Sequence, residues 1–282
     1  MKVKVVILIL ICLIAYYFYD NFRFNDGKLH LVFCNVGQGD AIFVRTPSGV
    51  DILFDGGPDS SVLNCLSRHM PFFDRDLELV FLSHPHADHY MGLIDVLKRY
   101  KVLSFNTEKI KSSTISYKEL ENQIKNNYVS ERFLTEGDIY KISDGVVIKM
   151  LWPQKKFIDS INPTADLDKN SISLIEMLSF NKINSLLTAD IQSNVIDKIY
   201  SDYGNFDIIE ISHHGSKTGT DKSTFNSEKP KYVVISVGKG NNYGLPSSYV
   251  LSILKEKGIN IKRTDQGKDV EFVISNILEI AD

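Results

Sequence analysis

The most apolar part of the chain is its amino terminus, where an unbroken apolar and aromatic run extends over residues 5–19. A helix needs about 20 apolar residues to cross a bilayer, so this run just suffices when Val3 and the aliphatic stem of Lys4 are counted. The tyrosines near its end are typical of a membrane–water interface. We therefore predict a membrane anchor or signal segment over residues 1–20, formed as an N-terminal hydrophobic anchor helix.

Lys2 and Lys4 precede the apolar run and no small-residue cleavage site follows it. These features favour an uncleaved signal-anchor with the amino end inside the cell and the body outside the cytoplasm. Ile11 stands directly before Cys12, where a lipoprotein signal has a small residue, so lipidation is disfavoured. The alternatives are a secreted protein, if the segment is removed, and a buried first element of a soluble body.

After a predicted linker over residues 21–27, the body over residues 28–282 alternates between two patterns. Short apolar runs ended by Gly, Pro or Asn predict strands, and apolar spacings of three and four predict helices. Strands are predicted at 30–36, 41–45, 50–55, 77–83, 146–152, 172–180, 183–188, 206–212, 232–237 and 270–275, and helices at 61–69, 92–100, 191–200 and 247–257. Strands followed by helix, twice over, favour two packed sheets with helices outside.

Composition adds few constraints to this picture. The 282 residues are 43% hydrophobic and 24% charged, with a formal net charge of -3, so no global basic field attracts nucleic acid. The three cysteines form no CxxC pair, which disfavours a cysteine zinc site and leaves no disulfide framework to deduce. Cys34 and Cys65 could pair only if the fold brings them together, and isolated cysteines are more often small buried apolar residues.

The strongest chemical signal is the run His84-Pro85-His86-Ala87-Asp88-His89, which follows a predicted strand. We expect it to lie on a loop, where the side chains converge instead of alternating. Imidazole and carboxylate ligands suit zinc, manganese or iron, and three of the seven histidines in the chain gather here. The run predicts a metal site with open coordination positions, as catalysis requires.

Two further strand ends carry metal-ligand chemistry. Asp190 follows the apolar strand at 183–188 and precedes a helix, so on its own it would be an ordinary helix N-cap. The pair His213-His214 follows another apolar strand, and adjacent histidines point in different directions on an extended chain. One of the two is expected to bind metal while the other contacts substrate or a supporting partner.

These strand-end motifs resemble the metallo-β-lactamase superfamily, most closely the hydrolase domain of ComEC-type DNA-uptake competence proteins; phosphorylcholine esterases are similar over part of the set. The motifs that carry the resemblance are Asn35-Val36-Gly37-Gln38-Gly39-Asp40, Asp55-Gly56-Gly57, Phe72-Phe73-Asp74, the His84 run, Asn170-Ser171, Asp190, His213-His214-Gly215-Ser216 and Asn242-Tyr243-Gly244. The resemblance implies an α+β fold, an αββα sandwich with two divalent metal ions, Zn or Mn, at one edge.

The resemblance also implies roles by position. His84 and His86 would bind the first ion, Asp88 and His89 the second, and Asp190 would bridge them, with His213 or His214 completing the second. Asp55 would buttress the site, with Asp40 close to it. Asn170, Ser216, Lys217 and Tyr243 are further candidates for supporting the site or contacting substrate.

The chain departs from the family pattern in three places. No histidine lies between Tyr90 and Ala189, where the superfamily usually has a ligand, and Asn170-Ser171 fits the substitute seen in the competence branch. Ala189 replaces the usual glycine before the bridging aspartate. Leu245 replaces a histidine, so this position supplies neither a proton nor an anion contact.

Together these observations predict a phosphodiesterase or nuclease that uses a metal-bound hydroxide, with Asp88 or Asp190 orienting the water. The partners would be a phosphodiester substrate, such as DNA, and the membrane. Lys217, Lys222, Lys239, Asn241 and Asn242 flank the predicted site and suit a phosphate. The alternatives are an acyl, lactone or β-lactam hydrolase on the same fold, and a non-enzymatic binding component of an uptake complex.

Overall fold

The computed structural model of the protein describes residues 2–161, 167–225 and 229–281. The helices are α1 (Lys2–Phe24), α2 (Ser61–His69), α3 (Ala87–Arg99), α4 (Ile115–Asn126), α5 (Lys155–Ser160), α6 (Ser193–Tyr203), α7 (Ser212–Gly215) and α8 (Ser248–Glu256), with short 3-10 turns at Lys169–Ile172 and Thr264–Gln266. The strands are β1 (Leu29–Phe33), β2 (Ile42–Arg45), β3 (Asp51–Phe54), β4 (Asp76–Leu82), β5 (Lys101–Thr107), β6 (Ser130–Phe133), β7 (Ile139–Lys141), β8 (Val147–Trp152), β9 (Ile175–Phe180), β10 (Ile183–Leu187), β11 (Ile208–Glu210), β12 (Tyr232–Ile235), β13 (Asn260–Arg263), β14 (Val270–Ile274) and β15 (Leu278–Ile280).

Two sheets pack face to face within the described residues. The first has the strand order β15-β14-β1-β2-β3-β4-β5-β6, and the second has the order β13-β12-β11-β10-β9-β8-β7. Side chains alternate between the two faces of each strand, so Leu31 and Phe33 enter the core between the sheets while Val32 packs beneath the outer helices. The predicted αββα sandwich with an N-terminal apolar helix is confirmed.

Helices cover the outer face of each sheet. On the first sheet α2, α3 and α4 bury an apolar stripe, for example Leu66, Leu93 and Leu120. On the second sheet α6 and α8 do the same through Ile196 and Ile253. The core between the sheets is therefore flanked by two helix–sheet cores, which hold the strand ends in fixed positions.

Parallel pairing brings the functional strand ends together. Strands β3 to β6 run parallel to one another, as do β10 to β13. In the second sheet β9 and β10 pair antiparallel and form the predicted hairpin. Its turn residues, Asn181 and Lys182, have left-handed backbone conformations. The carboxyl ends of β4, β10 and β11 consequently meet at one edge of the sandwich.

Two sequence-based expectations change. Helix α1 continues to Phe24, so the first residues of the expected linker at 21–27 are helical. Cys34 and Cys65 are joined by a disulfide, with their Cα atoms 5.8 Å apart and a sequence separation of 31. Such a cross-link removes conformational freedom from the unfolded chain, which stabilises the fold by about 3–4 kcal/mol for a loop of this length.

Candidate metal centre

The histidine run divides between a strand end and a helix. Strand β4 ends at Leu82, but α3 already begins at Ala87. Asp88 and His89 therefore lie in the first helical turn, which corrects the expectation that the whole run forms a loop. The helix matters because it places His89 beside Asp190 and Asp88 beside His214, while the His84 and His89 rings stay close, with centroids 4.2 Å apart.

The first half-site is formed by His84, His86 and Asp190, whose ligand atoms lie within 4.8 Å of one another. His84 Nε2 is 3.1 Å from His86 Nδ1 and 3.9 Å from Asp190 Oδ2. Ser83 Oγ donates to Asp55, so it accepts from His84 Nδ1 at 3.0 Å. That contact fixes the ring and leaves His84 Nε2 free to bind an ion.

The second half-site is formed by Asp88, His89, Asp190 and His214. His89 Nε2 lies 3.5 Å from Asp190 Oδ2, while His214 Nε2 lies 3.4 Å from Asp88 Oδ2 and 3.7 Å from Asp190 Oδ1. His89 Nε2, His214 Nε2 and Asp190 Oδ1 are buried and have no hydrogen-bond partner among the described residues. Buried polar atoms without partners are costly, so these three converging atoms fit a divalent ion.

Asp190 belongs to both half-sites. Its carboxylate is 3% exposed and presents Oδ2 to His84 and His89 and Oδ1 to His214. A carboxylate that lies between two groups of metal-binding side chains suits the bridging position of a binuclear centre. The residues present therefore fit two ions, which Asp190 would bridge.

Charges in the centre favour the metal-binding forms of its ligands. Burial and the charge of His89 lower the pKa of His84 and His86, so both imidazoles are neutral. Burial would raise the pKa of Asp190, but His214 and His89 hold it well below its usual range. Burial would lower the pKa of His89 and His214, but Asp190 raises both, so an ion at the second half-site must displace protons.

Comparison with known proteins agrees with this geometry. Residues 34–157 match the family model of the metallo-beta-lactamase superfamily. Among solved structures, the metallo-beta-lactamase fold protein YhfI from Bacillus subtilis superposes with a TM-score of 0.56 over 86% of this chain and 99% of that chain. The sequence identity is 11%, so this likeness shows the fold alone.

The predicted resemblance to competence proteins is also confirmed. The chain is 25% identical to ComE operon protein 3 of Bacillus subtilis over 271 residues, which cover 89% of this chain and 34% of that protein. It is 24% identical to competence protein ComA of Neisseria gonorrhoeae over 250 residues, covering 84% of this chain and 31% of that protein. The chain spans about a third of the length of the curated relatives it matches.

Two aspartates contact the histidines of the metal centre on the side away from Asp190. Asp55 accepts hydrogen bonds from His89 Nδ1 (2.7 Å), Ser83 Oγ (2.6 Å) and Ser83 N–H (2.8 Å). Asp40 lies 3.4 Å from His214 Nδ1 and 3.9 Å from His89 Nδ1. Both approach the Nδ1 atoms of these histidines, a position suited to the supporting role that the resemblance implies. Asp40 also belongs to a group with His89, Asp190 and His214 whose possible ligand atoms lie within 4.8 Å of one another.

The structure distinguishes between the two adjacent histidines. Both have left-handed backbone conformations, with φ of 53° at His213 and 54° at His214, which aims neighbouring side chains along different directions. His214 Nδ1 donates to the Ser236 carbonyl at 3.0 Å, leaving Nε2 for the second ion. His213 is one-third exposed, contacts Thr218 Oγ1 at 3.1 Å and reaches within 3.8 Å of Asp190.

Asn170 lies on the segment that replaces the missing family histidine. The 3-10 turn carrying it is tied to the end of β4, where Leu174 N–H donates to the Ser83 carbonyl at 2.8 Å. Asn170 Oδ1 is buried without a hydrogen-bond partner among the described residues, and the charge of the adjacent Lys169 acts on His86. An orphaned amide oxygen beside the first half-site suits a ligand or a substrate contact.

The flanking residues vary in how well they suit a phosphate. Lys217 is exposed, and Ser216 Oγ contacts Thr218 Oγ1 at 3.0 Å. Tyr243 is 75% exposed. Asn241 is committed to holding its own loop, since Nδ2 donates to the Gly238 and Leu245 carbonyls, so its expected phosphate role is replaced by a structural one. Lys222 is exposed and its Nζ lies 4.0 Å from a Glu256 carboxylate oxygen.

Residue-level reasoning missed the buried glutamates behind the site. Glu210 ends β11 and its Oε2 accepts from the N–H groups of Thr188 (2.9 Å) and Ala189 (3.1 Å), directly before Asp190. Burial, with a contribution from Asp40, raises the pKa of Glu210 well above its usual value. Glu176 is likewise buried in β9 with a raised pKa. An acidic residue within an otherwise apolar strand was the sequence signal for both.

Proposed function

We propose that the chain is a metal-dependent phosphodiesterase or nuclease that cleaves DNA or a similar phosphodiester outside the cytoplasm. The observation that carries the proposal is the pair of half-sites that share Asp190. In the second half-site His89 Nε2, His214 Nε2 and Asp190 Oδ1 are buried and converge without hydrogen-bond partners among the described residues. The coarser statement, a hydrolase domain of the metallo-beta-lactamase superfamily, follows from the family match. The similarity to a competence protein supports DNA as the substrate class.

When bound, two divalent ions lower the pKa of a shared water and offset charge on the substrate oxygens. Asp88 is about one-third exposed, so water and substrate can reach its carboxylate. Partial burial alone would raise the pKa of Asp88, but the nearby His214 and His89 lower it, so Asp88 is ionised and able to accept a hydrogen bond from the attacking water. Asp190 is buried and holds the two half-sites at a fixed spacing.

The disulfide supports an extracytoplasmic position for this domain. Structural disulfides persist in oxidising compartments and are rare in the cytosol, and Cys34 and Cys65 are fully buried within the first helix–sheet core. Lys2 and Lys4 precede the apolar run, which agrees with an amino end on the cytoplasmic side. Together they favour a membrane-anchored hydrolase that faces the outside.

The test is hydrolysis of DNA and of bis-p-nitrophenyl phosphate by the purified full chain loaded with Mn²⁺ or Zn²⁺. Asp88→Ala and Asp190→Asn should lower the rate by at least about 100-fold, since losing even a supporting contact to a metal ligand costs about 10–100-fold. Asp95→Ala on the solvent face of α3 is the matched control and should retain the wild-type rate.

The outcome also separates the alternatives. A fully loaded protein that leaves both phosphodiesters intact contradicts the proposal. Turnover of nitrocefin or a lactone by that same preparation would instead support acyl hydrolysis. Metal binding without turnover of any of these substrates would support a binding component.

A further inference from the structure

Two phenylalanines are exposed on the loop between α2 and β4, beside the end of the apolar helix. Phe72 is 57% exposed and Phe73 is 55% exposed. The Phe72 ring contacts Tyr16 with centroids 6.4 Å apart, and the Phe73 ring contacts Tyr17 at 6.0 Å. Exposed large aromatic side chains that adjoin an apolar surface mark an interaction site.

A buried aspartate holds this loop to the helix. Asp20 is the first charged residue after the apolar run, yet it is 6% exposed. Its Oδ2 accepts a hydrogen bond from the Phe72 N–H at 2.7 Å. Burying a carboxylate is costly unless it is hydrogen-bonded. This hydrogen bond therefore stabilises the buried Asp20 carboxylate and holds the loop beside the last turns of α1.

The apolar run is too short to cross a bilayer alone with its ends clear of the surface. Residues 5–19 extend roughly 22 Å as a helix, against a hydrocarbon core of about 30 Å. α1 is nevertheless long and apolar enough to be a candidate span, and its side chains are almost wholly exposed. The body must therefore lie close to the bilayer, which brings the aromatic loop to the level of Tyr16 and Tyr17.

We propose that Phe72 and Phe73 form a second membrane contact, inserting into the interface of the bilayer that α1 crosses. The aromatic surface is continuous with the span through Tyr16 and Tyr17, and aromatic residues favour the headgroup level. Arg75, whose guanidinium lies 5.7 Å from the Phe72 ring centroid, is exposed beside the pair and complements lipid phosphates. The occupant of this surface is the lipid bilayer.

This contact fixes the direction in which the metal centre opens. The loop precedes β4, which runs from Asp76 to Leu82 and delivers His84 at its other end. Seven strand residues extend roughly 23 Å. The metal centre therefore opens on the side away from the bilayer, where substrates come from the aqueous compartment and not from the lipid.

The test places tryptophan on the loop in the full chain, reconstituted into phosphatidylcholine and phosphatidylglycerol vesicles with brominated acyl chains. Phe72→Trp and Phe73→Trp should each lose about half of the added emission, because bromine quenches indoles at the depth of an aromatic belt. The matched control is Phe133→Trp, which is 50% exposed and lies at the site-side end of β6, in register with Thr107 and Leu82. It should show no quenching.

Ile9→Trp in the middle of α1 reports whether the helix itself is inserted. Quenching at Ile9→Trp with none at the two loop positions overturns the proposal and leaves the loop to a protein partner. Lipids carrying a photoreactive diazirine give a second measurement on the unmodified chain. They should label the peptide containing Phe72 and Phe73, and labelling confined to α1 would also overturn it.

Discussion

Gly39 and Gly37 offer a sharp test of how the metal centre is assembled. Both lie on the loop after β1 with positive φ, 143° and 82° respectively. A Cβ at Gly39 would lie 2.2 Å from the Asp88 carbonyl oxygen, whereas a Cβ at Gly37 meets nothing within 4 Å. The Asp40 N–H donates to that same carbonyl at 3.3 Å, so the close approach couples the loop to the first turn of α3.

The expected magnitudes follow from these two environments. Gly37→Ala incurs the cost of a left-handed backbone alone, about 1 kcal/mol of unfolding free energy. Gly39→Ala adds an overlap with main-chain atoms that cannot rotate away, and overpacking costs about 1–3 kcal/mol. We expect Gly39→Ala to lose about 2–4 kcal/mol in total. The displaced turn carries Asp88 and His89, so metal affinity at the second half-site should fall by at least about 10-fold.

The assay is thermal unfolding of the detergent-solubilised full chain with a chelator, followed by metal titration. For a protein somewhat smaller than this one, each kcal/mol lost from the free energy of unfolding lowers the melting temperature by about 2–4 °C. Gly39→Ala should therefore melt at least about 2 °C lower than Gly37→Ala and bind the second ion more weakly. Equal losses of stability and unchanged metal affinity would show that contact between the loop and α3 does not shape the centre.

Two further predictions concern the histidine pair and an acid-sensitive network. His214→Ala should reduce the bound metal from two ions to one, measured by elemental mass spectrometry, while His213→Ala should keep two. Burial alone would raise the pKa of Asp269, but hydrogen bonds from His69 and Arg68 lower it to about 2. Its stabilisation is thus present above pH 4 and lost as the pH falls toward 2, and after allowing for solvent screening amounts to about 1 kcal/mol. Asp269→Asn should remove that pH dependence in denaturant titrations; an unchanged profile would contradict it.

The sequence by itself determined the chemistry and most of the elements. The His84 run, Asp190 and the histidine pair each follow an apolar strand. The pattern of apolar and polar residues along the chain is enough to predict that these polar residues lie at strand ends. The prediction of α2 at residues 61–69 agrees with the structure, and the hairpin at Asn181-Lys182 has the left-handed turn that its residues favour. These features depend on the spacing of nearby residues along the chain, which can be read from the sequence alone.

Tertiary structure decided which atoms face one another. His213 and His214 are adjacent in sequence, and distant residues distinguish them: the Ser236 carbonyl, 22 residues away, and Asp40 hold His214 Nδ1, so that Nε2 faces Asp190. The same holds for Cys34 and Cys65, which pair because α2 packs on β1, and for Glu210, which supports the backbone before Asp190 from a neighbouring strand.

The physical reason is that coordination and burial depend on distances set by packing between elements. A residue type determines which bonds a side chain can make. Packing determines that His89 Nε2 and Asp190 Oδ1 are buried close together with no hydrogen-bond partner in the described part of the chain. Ala189 holds a left-handed conformation, with φ of 44°, that alanine disfavours, and such strain persists only because the surrounding fold over-determines it. The sequence thus determined which groups are available, and the sandwich decided which of them converge on the ions.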